Sequence, residues 1–529
     1  MPMSGTSSGD LGRRRFLGAV SAVASAAALA QLPVGRAEAT TRPGGGEYPF
    51  RLGVASGDPT SSGVVLWTRL VPDPFAPGGG MQPRKVPVEW QIARDERFRR
   101  IVAAGSAWAL PELAHSVHVE VNGLAPDQEW FYRFRYRQDV SPVGRTRTAP
   151  RPGARGGSLA FAFASCQDWA SGYYPSYRHM AQEDLDLVLH LGDYVYEGAI
   201  PADGGFRGVT TPDVLRTAPL DLERWRMQYA LYKSDPELQL AHARFPWMVT
   251  WDDHEVRNDY AGTRQEDAGD IGELRAAAYR AWYEHQPVRP PAGPGRAGGP
   301  RVYRRLEWGR LAQLDLLDGR QYRSVPPCGW GEADACPAAY APDVTMLGFE
   351  QEKWLYSGFA ASSATWNVLG SNVMLSRLDH DGPDGQRLWH DAWDGYPAAR
   401  KRLTDAWQRH GVRNPVVVTG DWHSTFVNDV HGDFDAPSSP VVATEFVGTS
   451  ISSNGDRSVY GPYYGPMIEH NPHITFFDGD RRGYVRCQVD EARFRTELRM
   501  VSTVSRADAP ESTLASFVVE QGRPGAQRA

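Results

Sequence analysis

Hydrophobic and polar positions follow two different patterns along this chain. From Phe50 to Pro150 the apolar runs are short and alternating. Val64–Thr68, Val86–Ile92, Ser116–Val121 and Trp130–Tyr136 each read as a half-buried strand, separated by clusters of Gly, Pro and Asp. A hundred or so residues of such strands predict a small all-β sandwich. Arg151–Gly157 then reads as a linker. Beyond it the runs become continuous: Leu159–Ala164, Leu185–Leu191, Phe245–Trp251 and Pro415–Thr419. Helical periodicity lies between them, at Glu223–Lys233 and Ile271–His285. Buried strands alternating with helices predict an α/β region, with functional groups expected where the strands end. The expected division is therefore an all-β domain over residues 40–150 and a larger α/β domain over 151–529. Pro290–Pro300 reads as a surface loop.

The first 39 residues follow neither pattern. Arg13-Arg14-Arg15-Phe16-Leu17 precedes an Ala-rich apolar stretch, and Ala37-Glu38-Ala39 offers small residues for cleavage. Basic, apolar and small-residue regions in that order predict a secretory signal over 1–39. The paired Arg followed by Phe-Leu resembles a twin-arginine signal, which implies the twin-arginine translocase as a partner in export. The apolar stretch falls short of the roughly 20 residues of a spanning helix. No later segment is apolar enough to span a bilayer, so the mature chain is expected to be secreted and soluble.

Composition narrows the function. Of 529 residues, 41% are hydrophobic and 11% aromatic, enough to build large cores. A net charge of −6 argues against a protein that coats nucleic acid. Four Cys cannot make a disulfide scaffold in a chain of this length. Cys328 and Cys336 flank a short loop and suit a local disulfide in an oxidising compartment. Cys487 reads as a buried free thiol. His115 and His118 are expected at the surface rather than as ligands.

The candidate chemistry sits at the ends of the four continuous runs. They close on Ser165-Cys166-Gln167-Asp168, on Gly192-Asp193-Tyr194-Val195-Tyr196-Glu197, on Asp252-Asp253-His254-Glu255 and on Gly420-Asp421-Trp422-His423-Ser424. A single Gly-Asp after a strand is usually a turn. Four polar clusters in one domain mean more, because buried carboxylates without a cation are costly. Their convergence implies bound metal. Phenol, thiol, carboxylate and imidazole together favour a strong Lewis acid, and trivalent iron suits that set better than Mg²⁺. Asp193 has two oxygens and can bridge two ions, the arrangement that clamps a phosphoester during hydrolysis.

Gly192-Asp193-x-x-Tyr196 resembles the motif of purple acid phosphatases. The order of strand-end clusters is that of calcineurin-like metallophosphoesterases. The chain as a whole resembles PhoD-type alkaline phosphatases and phosphodiesterases, from about Phe50 to Tyr484. The resemblance takes in Leu52–Pro59, Val65–Arg69, Ala164–Gln167, His190–Glu197, Trp251–Glu255, Met346–Gly348, Trp393–Pro397, Thr419–Ser424 and Glu445–Ser450. It implies a metallophosphoesterase β-sandwich core flanked by helices, preceded by a small fibronectin III-like sandwich. It also implies one Fe³⁺ on Cys166, Asp193, Tyr196 and His423. Two Ca²⁺ would share Asp193 and add Asp253, Asn258 and Asp421. His254 is implied as hydrogen-bond donor or general acid, and Arg257 as a contact to a phosphate oxygen. Asn372 lies where metallophosphoesterases often place a ligand. The family usually reads Asn-Gln where this chain reads Ser371-Asn372, so Asn372 stays outside the expected set.

The function implied is a secreted, metal-dependent phosphoesterase in which a metal-bound hydroxide attacks phosphorus. Its substrate is a phosphate monoester or diester: a small molecule, a phospholipid or a cell-wall polymer. The alternative is a phospholipase D-like diesterase acting on phospholipid head groups. A secreted binding protein without catalysis is disfavoured, because every implied ligand is chemically competent. The segments Glu197–Leu220 and Gly319–Pro342 are the loops expected to shape the substrate's entrance.

Overall fold

A computed structural model describes residues 47–289, 299–382, 385–436 and 438–529. The expected signal over 1–39 and most of the Pro290–Pro300 loop lie outside the described residues. Those described belong to a single compact unit, 46–529, in which no helix is long and apolar enough to cross a membrane.

Strands β1 (Val54–Thr60), β2 (Gly63–Arg69), β3 (Val86–Ala93), β4 (Ile101–Ala109), β5 (Ser116–Asn122), β6 (Glu129–Tyr136) and β7 (Gly144–Arg147) form the N-terminal part. There β3 lies between β4 and β6, and β6 also pairs with β7. This sheet faces β1, β2 and β5 across a core that includes Val64, Leu66, Val88, Trp130 and Phe134. The alternating positions seen in the sequence are the ones that point into it.

The α/β part begins with β8 (Leu159–Ala164), β9 (Leu187–His190) and β10 (Pro246–Val249). These three are parallel neighbours, and β1 joins β10 in parallel, with Ser56 opposite Pro246. The N-terminal strands therefore extend the sheet of the α/β part. A second sheet contains β11 (Arg304–Trp308), β12 (Ala312–Leu316), β13 (Trp366–Ser371), β14 (Pro415–Thr419), β15 (Thr425–His431), β16 (Val441–Val447) and β17 (Ile474–Asp478). Its order is β11-β12-β13-β14-β16-β15-β17, with β12, β13, β14 and β16 parallel. Strands β18 (Arg482–Val489), β19 (Arg493–Val501), β20 (Glu511–Glu520) and β21 (Arg523–Arg528) complete the first sheet on the far side of β8. That sheet thus has ten strands, β21-β20-β19-β18-β8-β9-β10-β1-β2-β5.

The two sheets pack face to face. Phe161, Phe163, Leu187, Leu189 and Met248 of the first meet Leu314, Leu316, Val416 and Val418 of the second. Helices α1 (Leu222–Lys233), α2 (Pro236–Arg244) and α3 (Gly272–His285) cover the outer face of the first sheet through Trp225, Leu238 and Trp282. Helices α4 (Phe349–Ala361) and α5 (Pro397–His410) cover the second through Phe359 and Leu403. Local chemistry sets their ends. Asp235 accepts from the backbone N–H of Glu237 and Leu238, Pro236 opens α2, and Gly411 in the left-handed region closes α5.

The chain is a four-layer α/β sandwich with an all-β segment before it: the pattern predicts an α/β part after an all-β part, and the family resemblance implies the β-sandwich core flanked by helices. His115 and His118 depart from expectation. His115 is buried, and His118 stacks on Tyr283 with ring centroids 4.6 Å apart. His118 also bonds to Gln286 O at 3.0 Å where β5 meets the end of α3, and His115 to Arg84 O at 3.1 Å, so positions that read as surface in an isolated sandwich are covered by other parts of the chain. Cys328 and Cys336 form a disulfide, and Cys487 is a buried free thiol.

Candidate metal centre

Four strand ends meet at one edge of the sandwich: those of β8, β9 and β10 from the first sheet and β14 from the second. The turns that follow are sharp. Cys166, Asp193, Asp421 and His423 all adopt positive φ, between 49° and 68°. Non-glycine residues in that region carry strain of order 1–3 kcal/mol, a cost concentrated at functional sites. Gly192 has a φ of 115°, and a Cβ there would lie 2.3 Å from Cβ of Asp252. A Cβ on Gly420 would meet Oγ of Ser165 at 2.7 Å. Glycine before each Asp lets neighbouring strand ends approach closely enough to share a ligand.

Ligand atoms of Cys166, Asp193 and His423 lie within 4.8 Å of one another. The phenol of Tyr196 joins them, donating to Asp193 Oδ2 at 2.9 Å and lying 3.2 Å from His423 Nε2. Ser453 Oγ sits 2.6 Å from the same phenol. Three further groups adjoin this one: Asp193 with Asp253 and His254, Asp252 with Asp253 and Asp421, and Asp253 with Asp259 and Asp391. Arg257 and Asn258 lie on the turn after Asp253, Arg257 partly buried and Asn258 exposed. The backbone N–H of Asn258 donates to Glu197 Oε1 at 2.9 Å.

The charge in this region is out of balance. Burial raises the Asp193 carboxyl well above its usual range, and the charges of Asp253 and Asp252 add to it. Burial likewise raises Asp421, assisted by Asp252. Burial and the Asp193 charge push both the Cys166 thiol and the Tyr196 phenol up. Burial and His254 hold His423 down at about 3, as a neutral imidazole. Asp193 Oδ1, Asp252 Oδ2 and Asp253 Oδ1 are buried without a hydrogen-bond partner. Orphaned carboxylate oxygens beside a thiol, a phenol and a neutral imidazole make a donor set that a cation satisfies.

Several participants stand outside the set expected from the sequence. Arg320 is fully buried among the acids. It donates to Asp252 Oδ1, reaches both oxygens of Asp391 at 2.7 and 2.6 Å, and lies 3.6 Å from Asp253 and 3.5 Å from Asp421. Arg323 also donates to Asp391. Glu255 accepts from the backbone N–H of Asp193, Tyr194 and Asp252 at 3.0, 2.7 and 2.8 Å, tying two strand ends together. Burial outweighs those donors and pushes its carboxyl up to about 8. Asn372 accepts from Gly319 N–H at 2.8 Å and donates to Trp251 O at 2.5 Å, so it joins three strand ends. The signal for Arg320 was available: Leu311–Leu317 is a fifth apolar run, closing on Asp318-Gly319-Arg320.

Comparison with known proteins gives a consistent set of matches. The family model described as PhoD-like phosphatase matches residues 161–498. The model of its N-terminal domain matches residues 36–150. Alkaline phosphatase D of Bacillus subtilis (strain 168) is 42% identical over 528 residues, covering 98% of this chain and 89% of that protein. A solved structure titled "Structure of PhoD" superimposes with a TM-score of 0.87 at 43% identity, covering 92% of this chain and 93% of the other.

Proposed function

This chain belongs to the PhoD-like phosphatase family, and on that premise we propose that it cleaves phosphate monoesters and diesters outside the cytoplasm, with one Fe³⁺ and two Ca²⁺. It is a hydrolase acting on phosphoester bonds. Family membership implies metal dependence, and the buried acid, thiol and imidazole groups are suited to holding metal.

The observation that carries the ligand assignment is the convergence of Cys166, Asp193, Tyr196 and His423, with Asp193 Oδ1 unpartnered. These four would hold the iron. Asp193, Asp253, Asn258 and Asp421 would hold calcium, whose preference is for oxygen. Ions held there supply Lewis acidity at the phosphoryl oxygens and make a nearby water easier to deprotonate. The protein supplies the rest. His254 donates a hydrogen bond to the substrate's phosphate or leaving oxygen. Burial alone would lower its pKa, but the charges of Glu197, Asp253 and Asp193 push it above its usual value. Arg257 reaches a non-bridging oxygen. Glu255 and Asn372 fix the strand ends, and Arg320 pairs with one oxygen of Asp252 and with Asp391.

The deciding assay uses mature protein loaded with iron and calcium, on a monoester and on matched diesters including a phosphatidylcholine. Hydrolysis of both classes supports the reading. Failure to turn over either class from neutral to alkaline pH overturns it, and turnover of phosphatidylcholine alone converts the enzyme into a phospholipase. Tyrosinate on Fe³⁺ absorbs visible light, so the loaded protein should be coloured and Tyr196→Phe should change the colour. For export, replacing Arg13 and Arg14 by Lys should leave the precursor in the cytoplasm.

A further inference from the structure

His254 is held by a second carboxylate that stands outside every metal-ligand assignment above. Its Nδ1 lies 2.7 Å from Glu197 Oε2. The other oxygen of Glu197 accepts the backbone N–H of Asn258 at 2.9 Å, so one carboxylate spans the turn that carries His254. The imidazole also stacks on the Tyr196 ring, with centroids 4.2 Å apart and planes 28° apart. Glu197 is itself fixed from behind. Gln228 of α1, fully buried, donates to the carbonyls of Tyr196 and Gly198 at 2.7 and 3.1 Å, on either side of Glu197. The ring keeps 20% of its surface exposed, so a substrate can reach it.

We infer that Glu197 is a positioning residue of the reaction. It engages Nδ1–H of His254, fixes the tautomer and the ring plane, and leaves Nε2–H as the group that protonates the leaving oxygen. This rests on His254 acting as a donor to substrate. In the step served, a water oxygen forms the new bond to phosphorus and its proton passes to solvent. The ester P–O bond breaks, and its electron pair goes to the leaving oxygen. That oxygen takes the proton from Nε2, and solvent later returns one to the neutral ring. A carboxylate on the far nitrogen keeps the ring in place while this charge changes.

The arrangement predicts selectivity by leaving group. A basic alkoxide needs the proton, whereas a nitrophenolate departs without it. The experiment compares Glu197→Ala, Glu197→Gln, His254→Ala and the Glu197→Ala/His254→Ala double variant. Each is assayed as holoenzyme on an ester series running from p-nitrophenyl to alkyl leaving groups, with bound iron and calcium measured in every sample. Glu197→Ala should lose about 10- to 100-fold in kcat on alkyl esters and under about 3-fold on p-nitrophenyl esters, with metal content unchanged. The double variant should be no slower than His254→Ala, because Glu197 acts through that ring. Glu197→Gln keeps one acceptor oxygen, should fall between, and supplies the same comparison if the Ala variant does not fold. A uniform loss across the series, a loss of metal, or additive losses in the double variant overturn the role of Glu197. An unchanged leaving-group dependence in His254→Ala instead overturns the reading of His254, and the inference with it.

Discussion

The two sheets meet at the site with opposite contributions. The ends of β8, β9 and β10 deliver Cys166, Asp193, Tyr196, Asp252 and Asp253: acids, a thiol and a phenol, with three carboxylate oxygens left unpartnered. The ends of β12, β13 and β14 deliver Arg320, Asn372, Asp421 and His423. Arg320 and Asn372 are engaged with the other sheet through Asp252 and Trp251. One side concentrates negative charge, and the other decides how much of it remains for an ion. A metal centre built from a single sheet would lack that control. A site with all its acids paired to arginine would have no need of metal.

The largest effect is expected from removing residues 48–150. Because β1 is hydrogen-bonded to β10, the deletion strips the ligand-bearing sheet of β1, β2 and β5, and the remainder should be insoluble on expression. Soluble, active protein would show that the sheet carrying Asp193 stands without them. Next, Asp193→Ala and Cys166→Ala should remove bound iron and lower kcat/KM about a thousandfold or more, the scale of several kcal/mol of charge stabilisation. Full iron occupancy in either variant would refute the ligand assignment.

Arg320→Met tests the opposite side. It leaves Asp252 and Asp391 buried beside fewer cations, and breaking such a pairing costs about 3–5 kcal/mol. Chemical denaturation should show this loss in metal-free protein, and added calcium should recover more stability than it adds to the wild type. Asn372→Ala should cost about 1–3 kcal/mol by stranding the groups it joins, with iron content maintained.

The smallest effect concerns pH. Burial holds His190 neutral, down to about 3, beneath the strand end that bears Asp193. A histidine with a lowered folded pKa contributes nothing unfavourable above its unfolded value of about 6.5. As pH falls below that, the unfolded chain binds a proton that the folded one refuses. Stability should drop by about 1.4 kcal/mol per pH unit from this residue, and His190→Phe should flatten the acid limb of the stability curve by that amount. An unchanged slope would show that the ring is protonated in the folded protein.

Much of the fold was legible because its signals are local. Alternation marked β2, β3, β5 and β6, and continuous apolar runs marked β8, β9, β10 and β14, together with the helices Leu222–Lys233 and Gly272–His285. The rule that chemistry follows strand ends located Cys166, Asp193, Asp253 and Asp421. Applied to Leu311–Leu317 it would have reached Arg320 too. Asn372 was set aside because the dipeptide differs from the family's, although its amide bridges backbone groups 53 and 121 positions away. The parallel pairing of β1 with β10 left no mark in either segment, because a hydrogen-bonded partner almost 200 residues distant alters no local periodicity.

The sequence by itself determined the elements and the kinds of donor at their ends, because strand alternation, apolar runs and glycine before an acid are properties of a few neighbouring residues. Tertiary structure alone decided which acids are spent on arginine and which stay open for metal. Arg320 reaches Asp252 across 68 positions and Asp391 across 71. In a low-dielectric interior, a shift of an ångström or two in such contacts decides whether a carboxylate is neutralised by a side chain or by an ion.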